Sequence, residues 1–324
     1  MKIALVGFGN VGSAFIELLH EQRDYLAKRY KFKPKVIAVI ARRGTVIYKR
    51  GFVRADDVKF NGEPISFEKA IQDADVVVEV TPTDVQTGGI ALYHCRTALK
   101  MGKHVVTANK GPLVVAYREL EKLAHKKKVQ FRFEGTVMGG IPSMILGLDV
   151  MSIASIQEVR GIFNSTTNFI LAEMESGRTY ADALKTAQER GYAETDPTAD
   201  VEGWDAAAKA AIIANTMMDG DLRINDVDRE GITQITPEMI AEAKAKNSRW
   251  KLIAEVKRTD SGVTASARPM LLPYDDPLAQ VNGAASALTY FTDVLAPITL
   301  IGSGAGGKAT SFALLTDLIK IHQA

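Results

Sequence analysis

The sequence predicts an α/β fold: a doubly wound parallel sheet, a second unit of α+β type, and a C-terminal helix that returns to the first. Three observations carry this. A short apolar run at residues 2–6 leads straight into a glycine-rich turn and a helix with apolar spacing. Further apolar runs at residues 36–40, 76–80 and 104–107 alternate with helical stretches, the pattern of a parallel sheet covered on both faces. A second glycine-rich helix entry, residues 302–310, precedes a closing helix in which Phe312, Leu314, Leu315 and Leu318 form an apolar stripe. On this reading residues 1–134, joined by 301–324, form one domain and residues 135–300 the other.

The first strand ends on Gly7, Phe8, Gly9, Asn10, Val11 and Gly12, with Phe15, Leu18, Leu19 and Leu26 following at helical spacing. Strand, GxGxxG, helix is the Rossmann-type arrangement for a dinucleotide. Its glycines allow a tight turn, close backbone approach to a pyrophosphate and close packing of helix on strand, and the helix N-terminus receives the phosphates. The next strand, residues 36–40, runs into Ala41, Arg42, Arg43 and Gly44. An NAD site usually ends this strand with a carboxylate that grips the ribose hydroxyl. Two arginines in place of an acid favour NADP over NAD, because guanidinium meets phosphate with a bidentate fork. Ligands of such a sheet sit at the carboxyl ends of its strands, which places Thr81 and Lys110 at the cofactor crevice. Taken alone, Lys110 also reads as a surface lysine.

After a strand at residues 129–133, residues 134–144 (EGTVMGGIPSM) form a glycine-rich turn leading into a helix. Residues 156–163 read as a strand, with Asn164, Ser165, Thr166, Thr167 and Asn168 supplying hydroxyls and amides at its end. Two helical segments then deliver the chain to residues 191–209, GYAETDPTADVEGWDAAAK. Glu194, Asp196, Asp200 and Glu202 crowd this loop, and Asp205 precedes Lys209 by one helical turn, so the two share a helix face. Alone, the stretch suits a capped surface helix as well as a site, because acidic residues are favoured in a first turn. Residues 220–250 read as polar and partly helical, with a capped helix start at Thr236 and Pro237. Strands return at residues 263–272, 288–292 and 298–301.

Composition narrows the function classes. The 324 residues are 46% hydrophobic and 24% charged with a net charge of only +2, and the basic residues are dispersed, so no nucleic-acid partner is expected. A single cysteine, Cys95, excludes an internal disulfide or a cysteine zinc cluster and fits a reducing compartment. The sequence carries no signal peptide or long apolar span, so no membrane partner is expected and the cytoplasm is the expected location. The histidines are His20, His94, His104, His125 and His322. None lies in the second unit, so a proton carrier from that unit is expected not to be histidine.

Together, GFGNVG (7–12), TANKGPL (107–113), EGTVMGGIP (134–142), NSTTNFIL (164–171), residues 191–209, REGI (229–232), DPLAQVNG (276–283) and GSGAGGKAT (302–310) resemble the homoserine dehydrogenases, in family order and over nearly the whole chain. The resemblance is to the short form, without a regulatory C-terminal domain. It implies NAD(P)-dependent interconversion of L-homoserine and L-aspartate 4-semialdehyde, a step of threonine, methionine and isoleucine biosynthesis. It also implies a homodimer formed through the second domain, which would bind substrate. Position by position, Lys209 matches the proton donor or acceptor on the substrate C4 oxygen. Lys110 matches a second active-site lysine close to nicotinamide and substrate. Glu194 and Asp205 match the residues that hold the amino acid, with Asp200 and Thr166 counted beside them. Thr81, Gly191 and Gly306 match cofactor contacts. Glu134, Val137, Gly139 and Ile141 match a monovalent-cation site, for sodium, built mainly from backbone oxygens. The sequence departs from the family at Ser165, Ser286 and Ser303, where Gly, Asn and Pro are frequent.

The chemistry asks for such groups. Hydride reduction of an aldehyde places negative charge on its oxygen, so the site must supply a cation and a proton. Lysine, with an ordinary pKa of about 10.4, holds its proton at neutral pH and suits the acid role. In the oxidation direction it must first lose that proton, which a neighbouring Lys110 or burial would favour and Asp205 would oppose. The substrate's ammonium accounts for the surplus of carboxylates, through charge-assisted hydrogen bonds to Glu194 or Asp205. Two other readings stay open: a dehydrogenase acting on another amino acid or semialdehyde, and a non-catalytic NADP-binding sensor.

Overall fold

Ile3 and Leu5 pack on one side of the first strand, Ala4 and Val6 on the other, and all four are buried. That two-faced burial is what a nearly continuous apolar run produces when helices cover both sides of a sheet. The computed structural model describes residues 1–60 and 65–324. It divides into two units, Met1–Pro142 with Ala305–Ala324, and Ser143–Gly304.

The first unit contains β1 (Lys2–Val6), β2 (Lys35–Ala41), β3 (Gly44–Phe52), β4 (Val76–Glu79), β5 (His104–Thr107) and β6 (Phe131–Arg132), in sheet order β3-β2-β1-β4-β5-β6. All neighbours are parallel except β2 and β3, which form an antiparallel hairpin. The expected all-parallel sheet therefore has an antiparallel edge. The reason is length: Arg42 and Arg43 alone connect β2 to β3, and a parallel crossover needs a dozen or so residues. One face is covered by the Asn10–Glu21 helix and the C-terminal Gly307–Gln323 helix, through Phe15, Ile16, Leu314, Leu315 and Leu318. The other is covered by the Gly89–Lys100 and Gly111–Lys127 helices, through Leu92, Cys95, Leu99 and Leu120. The C-terminal helix thus returns to the first sheet as expected. Phe312, expected in its apolar stripe, is 54% exposed instead. Buried Asp317 lies in the core-facing set of this helix, pairing with Arg132 at 3.0 Å and accepting from the Glu134 amide at 2.9 Å.

The second unit contains β7 (Ile156–Ile162), β8 (Asp228–Arg229), β9 (Ser248–Thr259), β10 (Gly262–Pro273), β11 (Ser286–Thr292) and β12 (Ile298–Gly302), in sheet order β12-β11-β7-β9-β10-β8. Only β10 and β8 are parallel. The β9 strand, absent from the sequence reading, forms a long hairpin with β10 across an Asp260–Ser261 turn. The Trp204–Met217 helix packs against this hairpin. Its Ala206, Ala207, Ala208, Ala210, Ala211, Ile212 and Ile213 are all buried, so it is an interior helix and not the surface helix its acidic start allowed. Among the described residues, no helix is long and apolar enough to cross a membrane.

Candidate active site

In the first unit the glycine loop follows β1 at the carboxyl edge of the sheet. Gly7 has φ +102°, and a Cβ there would sit 2.6 Å from the Val80 carbonyl, so the loop needs glycine both for its turn and for its contact with the β4 end. A Cβ at Gly12 would run into the Gly7 carbonyl oxygen, which is the close helix-to-loop packing expected of the third glycine. Nothing lies within 4 Å of a Cβ placed on Gly9, leaving open space where a pyrophosphate would approach. Gly9 is also the N-cap of the Asn10–Glu21 helix, so unpaired amides at its start, including those of Asn10 and Val11, are available to an anion. These residues fit a dinucleotide.

Arg42 and Arg43 form the exposed turn after β2. The Arg43 guanidinium lies over the Phe60 ring at 4.7 Å and near that of Phe8 at 5.9 Å, so an aromatic shelf holds it beside the glycine loop. Thr81 follows β4 and Lys110 follows β5, where Lys110 caps the Gly111–Lys127 helix. The buried Asn109 amide donates to the Thr81 and Pro82 carbonyls at 2.9 and 3.2 Å, and its oxygen accepts from Gly111 N–H at 3.0 Å. Asn109 therefore ties the Thr81 loop to the Lys110 loop. The Glu134–Ile141 turn belongs to this unit too. Glu134 is buried, and Met138 and Gly139 are consecutive left-handed residues, a conformation costly for methionine. Among the described residues no cluster of three acidic, histidine or cysteine side chains could hold a metal. One carboxylate within a tightly turned backbone matches a donor set dominated by carbonyls. Gly306, with φ +104°, caps the C-terminal helix.

In the second unit β7 ends at Ile162, and Phe163 and Asn164 follow. Asn164 caps the Ser165–Glu175 helix, accepting from Thr167 N–H at 2.9 Å. Its amide nitrogen donates to Asp200 Oδ1 at 2.6 Å and to Asp205 Oδ2 at 2.9 Å. The same Asp205 oxygen takes Lys209 Nζ at 2.6 Å, and Nζ also donates to the Phe163 carbonyl at 2.6 Å. The Lys209 and Asp205 side chains are only 15% and 16% exposed. Burial and the nearby Asp205 charge push the Asp200 carboxyl above the usual range, while Asn164 and Lys209 pull it down. The buried Thr166 hydroxyl donates to the Tyr192 carbonyl at 2.8 Å.

The structure thus brings Asp200, Asp205 and Lys209 together around one amide. Glu194 and Gly191 stand on the exposed part of the loop, where Gln188 donates to the Glu194 carbonyl at 3.1 Å. Asp196 accepts from Thr198 N–H and Glu202 from the Trp204 indole, which are turn and capping roles. The REGI segment braces the loop from beneath. Arg229 stacks on Trp204 at 3.6 Å and donates to the Glu202 carbonyl. A Cβ on Gly231 would collide with the Val201 carbonyl oxygen. Sequence reasoning missed Asn164 and Asn109 as hubs. Each is an amide two residues past the end of a buried strand, next to a hydroxyl or charged residue.

A dinucleotide sheet joined to a unit with its own cluster of ionisable groups is the design of an NAD(P)-dependent oxidoreductase. Two family signatures cover the chain: "Homoserine dehydrogenase, NAD binding domain" over residues 7–134, and "Homoserine dehydrogenase" over residues 143–319. The chain belongs to the homoserine dehydrogenase family. It is 39% identical to the NAD(+)-dependent homoserine dehydrogenase of Pseudomonas canavaninivorans, over 100% of this chain and 96% of that protein. It is 40% identical to the homoserine dehydrogenase of Methanocaldococcus jannaschii, over 100% and 99% of the two chains. The crystal structure of a putative homoserine dehydrogenase from Archaeoglobus fulgidus superposes with a TM-score of 0.88 at 39% identity, covering 99% of each chain. A hyperthermophilic archaeal homoserine dehydrogenase in complex with NADPH superposes with a TM-score of 0.82 at 28% identity, covering 99% of this chain and 97% of that one.

Proposed function

We propose that this protein interconverts L-homoserine and L-aspartate 4-semialdehyde, with Lys209 carrying the proton of the substrate's C4 oxygen. The observation that carries this is the Lys209 ammonium, held at 2.6 Å by both Asp205 and the Phe163 carbonyl at the end of β7. A nicotinamide dinucleotide held by residues 7–12 would supply or take up the hydride at the substrate's C4. Lys209 gives its proton to the oxygen in reduction and receives it in oxidation, and Asp205 fixes the direction of its side chain. Lys110, at the β5 end, supplies a second positive charge for the developing oxyanion. The substrate ammonium is taken by Asp205 and Glu194, with Asp200 and Thr166 alongside.

NADP is the coenzyme this reading favours, with Arg43 and Arg42 meeting the ribose phosphate; the aromatic shelf under Arg43 supports it. Thr81, Gly191 and Gly306 complete the cofactor contacts. Glu134 with the carbonyls of Val137, Gly139 and Ile141 suits sodium, a hard ion that prefers oxygen donors, and the ion would rigidify the turn. The protein is a homodimer in this reading, and solvent-exposed Leu271 and Ile301 on the second sheet support it, at 40% and 59% exposure. A cytoplasmic location, with Cys95 reduced, belongs to the same reading.

Lys209→Ala tests it. Turnover of homoserine should fall by about 10²- to 10⁴-fold, the usual worth of a positioned acid–base group, while NADPH binds within a few fold of wild type. Near wild-type rates would overturn the assignment of the proton carrier. Homoserine should also outpace aspartate and other hydroxy amino acids as a substrate.

A further inference from the structure

The carboxyl ends of β4 and β5 are joined by a buried hydrogen-bonded network that begins at a carboxylate. Glu79, the last residue of β4, is fully buried in a strand otherwise made of valine. A carboxylate persists in such a place only when its lone pairs are satisfied. Oε1 accepts from the Thr81 amide at 3.2 Å and from the Thr81 hydroxyl, and Oε2 lies 3.5 Å from the Thr107 hydroxyl. The Nδ1 of buried His94 faces Oε1 at 3.5 Å. The adjoining Cys95 thiol is pushed up by burial and by the Glu79 charge.

The network continues beyond Glu79. The Thr107 hydroxyl donates to the Glu79 carbonyl at 3.1 Å and accepts from the Asn109 amide at 2.9 Å. The Asn109 side chain then bridges to the Thr81 and Pro82 carbonyls and to Gly111 N–H, on either side of Lys110. Neither loop has slack. A Cβ on Gly111 would run into the Asp84 carbonyl oxygen, and one on Gly7 would press on Val80.

We propose that Glu79 is a positioning residue for the reaction. It acts on Thr81 directly and on Lys110 through Thr107 and Asn109. This rests on the roles given to Thr81 and Lys110 above. Oε1 takes both the Thr81 amide and the Thr81 hydroxyl, and the one Thr107 proton is shared between the Glu79 carbonyl and Oε2. A glutamine would keep an oxygen for Thr81 but lose the negative charge, and hydrogen bonds to an ionised acceptor are roughly twice as strong as those to a neutral one.

The test is Glu79→Gln, alone and combined with Lys110→Ala, measuring homoserine oxidation and the Kd for ADP, a probe of the adenosine half alone. The expected result is a tenfold or greater fall in kcat with ADP affinity within twofold of wild type. In the Lys110→Ala background the same change should cost at least threefold less than in wild type, because the route to Lys110 is gone while the direct action on Thr81 remains. Equal costs in both backgrounds, an unchanged kcat, or a matching loss of ADP affinity would overturn the proposal. Lys110→Ala alone judges the other reading: wild-type turnover there would remove Lys110 from the site whatever Glu79 does. If Glu79→Gln fails to fold, Thr107→Val and Asn109→Ala carry the same cycle with the same thresholds.

Discussion

Replacing Asp200 by asparagine is expected to make the protein more stable and less able to bind its substrate. Asp200 Oδ1 and Asp205 Oδ2 accept from one nitrogen of Asn164 at 2.6 and 2.9 Å, so they lie no more than about 5.5 Å apart, the sum of the two distances. Two carboxylate charges at that separation repel by roughly 3 kcal/mol at an effective dielectric constant near 20. Lys209, which is held by Asp205, attracts Asp200 by less than Asp205 repels it. The balance is unfavourable to the charge, since the Asp200 carboxyl is raised by burial first and by Asp205 second. A net relief on the order of 1 kcal/mol is expected from asparagine, whose oxygen can keep the Asn164 bond. For a unit of this size that is a rise in Tm of about 2–4 °C.

The pH dependence gives the prediction its direction. A carboxyl whose folded pKa is raised favours the folded state in its protonated form. Its contribution is fully present below the unfolded value of about 3.9 and is lost as pH rises through the folded value. Asp200→Asn does not ionise, so its advantage over wild type should be absent in acid and develop as pH rises past that window. Thermal unfolding of both proteins from pH 4 to pH 8, without substrate, reads this directly. A variant less stable than wild type at pH 8, or an advantage that does not shrink in acid, would refute the charge argument. KM for homoserine should rise in the same variant, because two carboxylates facing one lysine leave a negative charge that suits an incoming ammonium.

Arg42→Ala with Arg43→Ala should weaken NADP binding by about tenfold to a hundredfold, the worth of hydrogen bonds to a charged group, and leave NAD within twofold. Initial rates with each coenzyme decide it, and unchanged NADP dependence would remove the reason for preferring NADP. Lys251, buried on β9 and donating to Asn168 Oδ1 at 2.8 Å and the Val281 carbonyl at 2.6 Å, has its pKa lowered to about 8 by burial, with Glu175 opposing and Arg249 adding. A depressed lysine favours the folded state when neutral. Wild type should therefore gain stability relative to Lys251→Met as pH rises from about 8 toward 10.4, the unfolded value. Unfolding midpoints at pH 7.5 and 9.5 check it, and a constant gap would count against the shift.

What the sequence made legible follows from how local each signal is. The GxGxxG turn was readable because its roles are set within six residues: Gly12 packs on Gly7, and Gly9 faces open space. The Asp205–Lys209 pair was readable because one helical turn fixes it, and its 2.6 Å contact is what that spacing allows. The β3 hairpin was missed although its signal was local. Two residues between extended segments compel a hairpin, but the second, Gly44–Phe52, has a single buried residue and lacks an apolar run. The β9 strand was missed for a different reason. Its charged Lys251, Glu255 and Lys257 break the apolar pattern, yet Lys251 is buried, satisfied by Asn168 more than eighty positions earlier in the chain.

The hubs of the candidate site were beyond local reading for the same reason. Asn164 matters because it meets Asp200 and Asp205 from 36 and 41 residues away, and Asn109 because it meets Thr81 across 28. Periodicity cannot report such pairings, but polarity out of place can. Glu79 is the one charged residue in a run of valines, and a buried strand tolerates that only when a network waits for it. A lone carboxylate at the carboxyl end of a buried strand, two residues before a threonine, is thus a pointer in the sequence to a buried hydrogen-bonded network at that strand's end. Strand ends in a doubly wound sheet are where ligands sit, and a group placed there at the cost of burying a charge has a partner to hold.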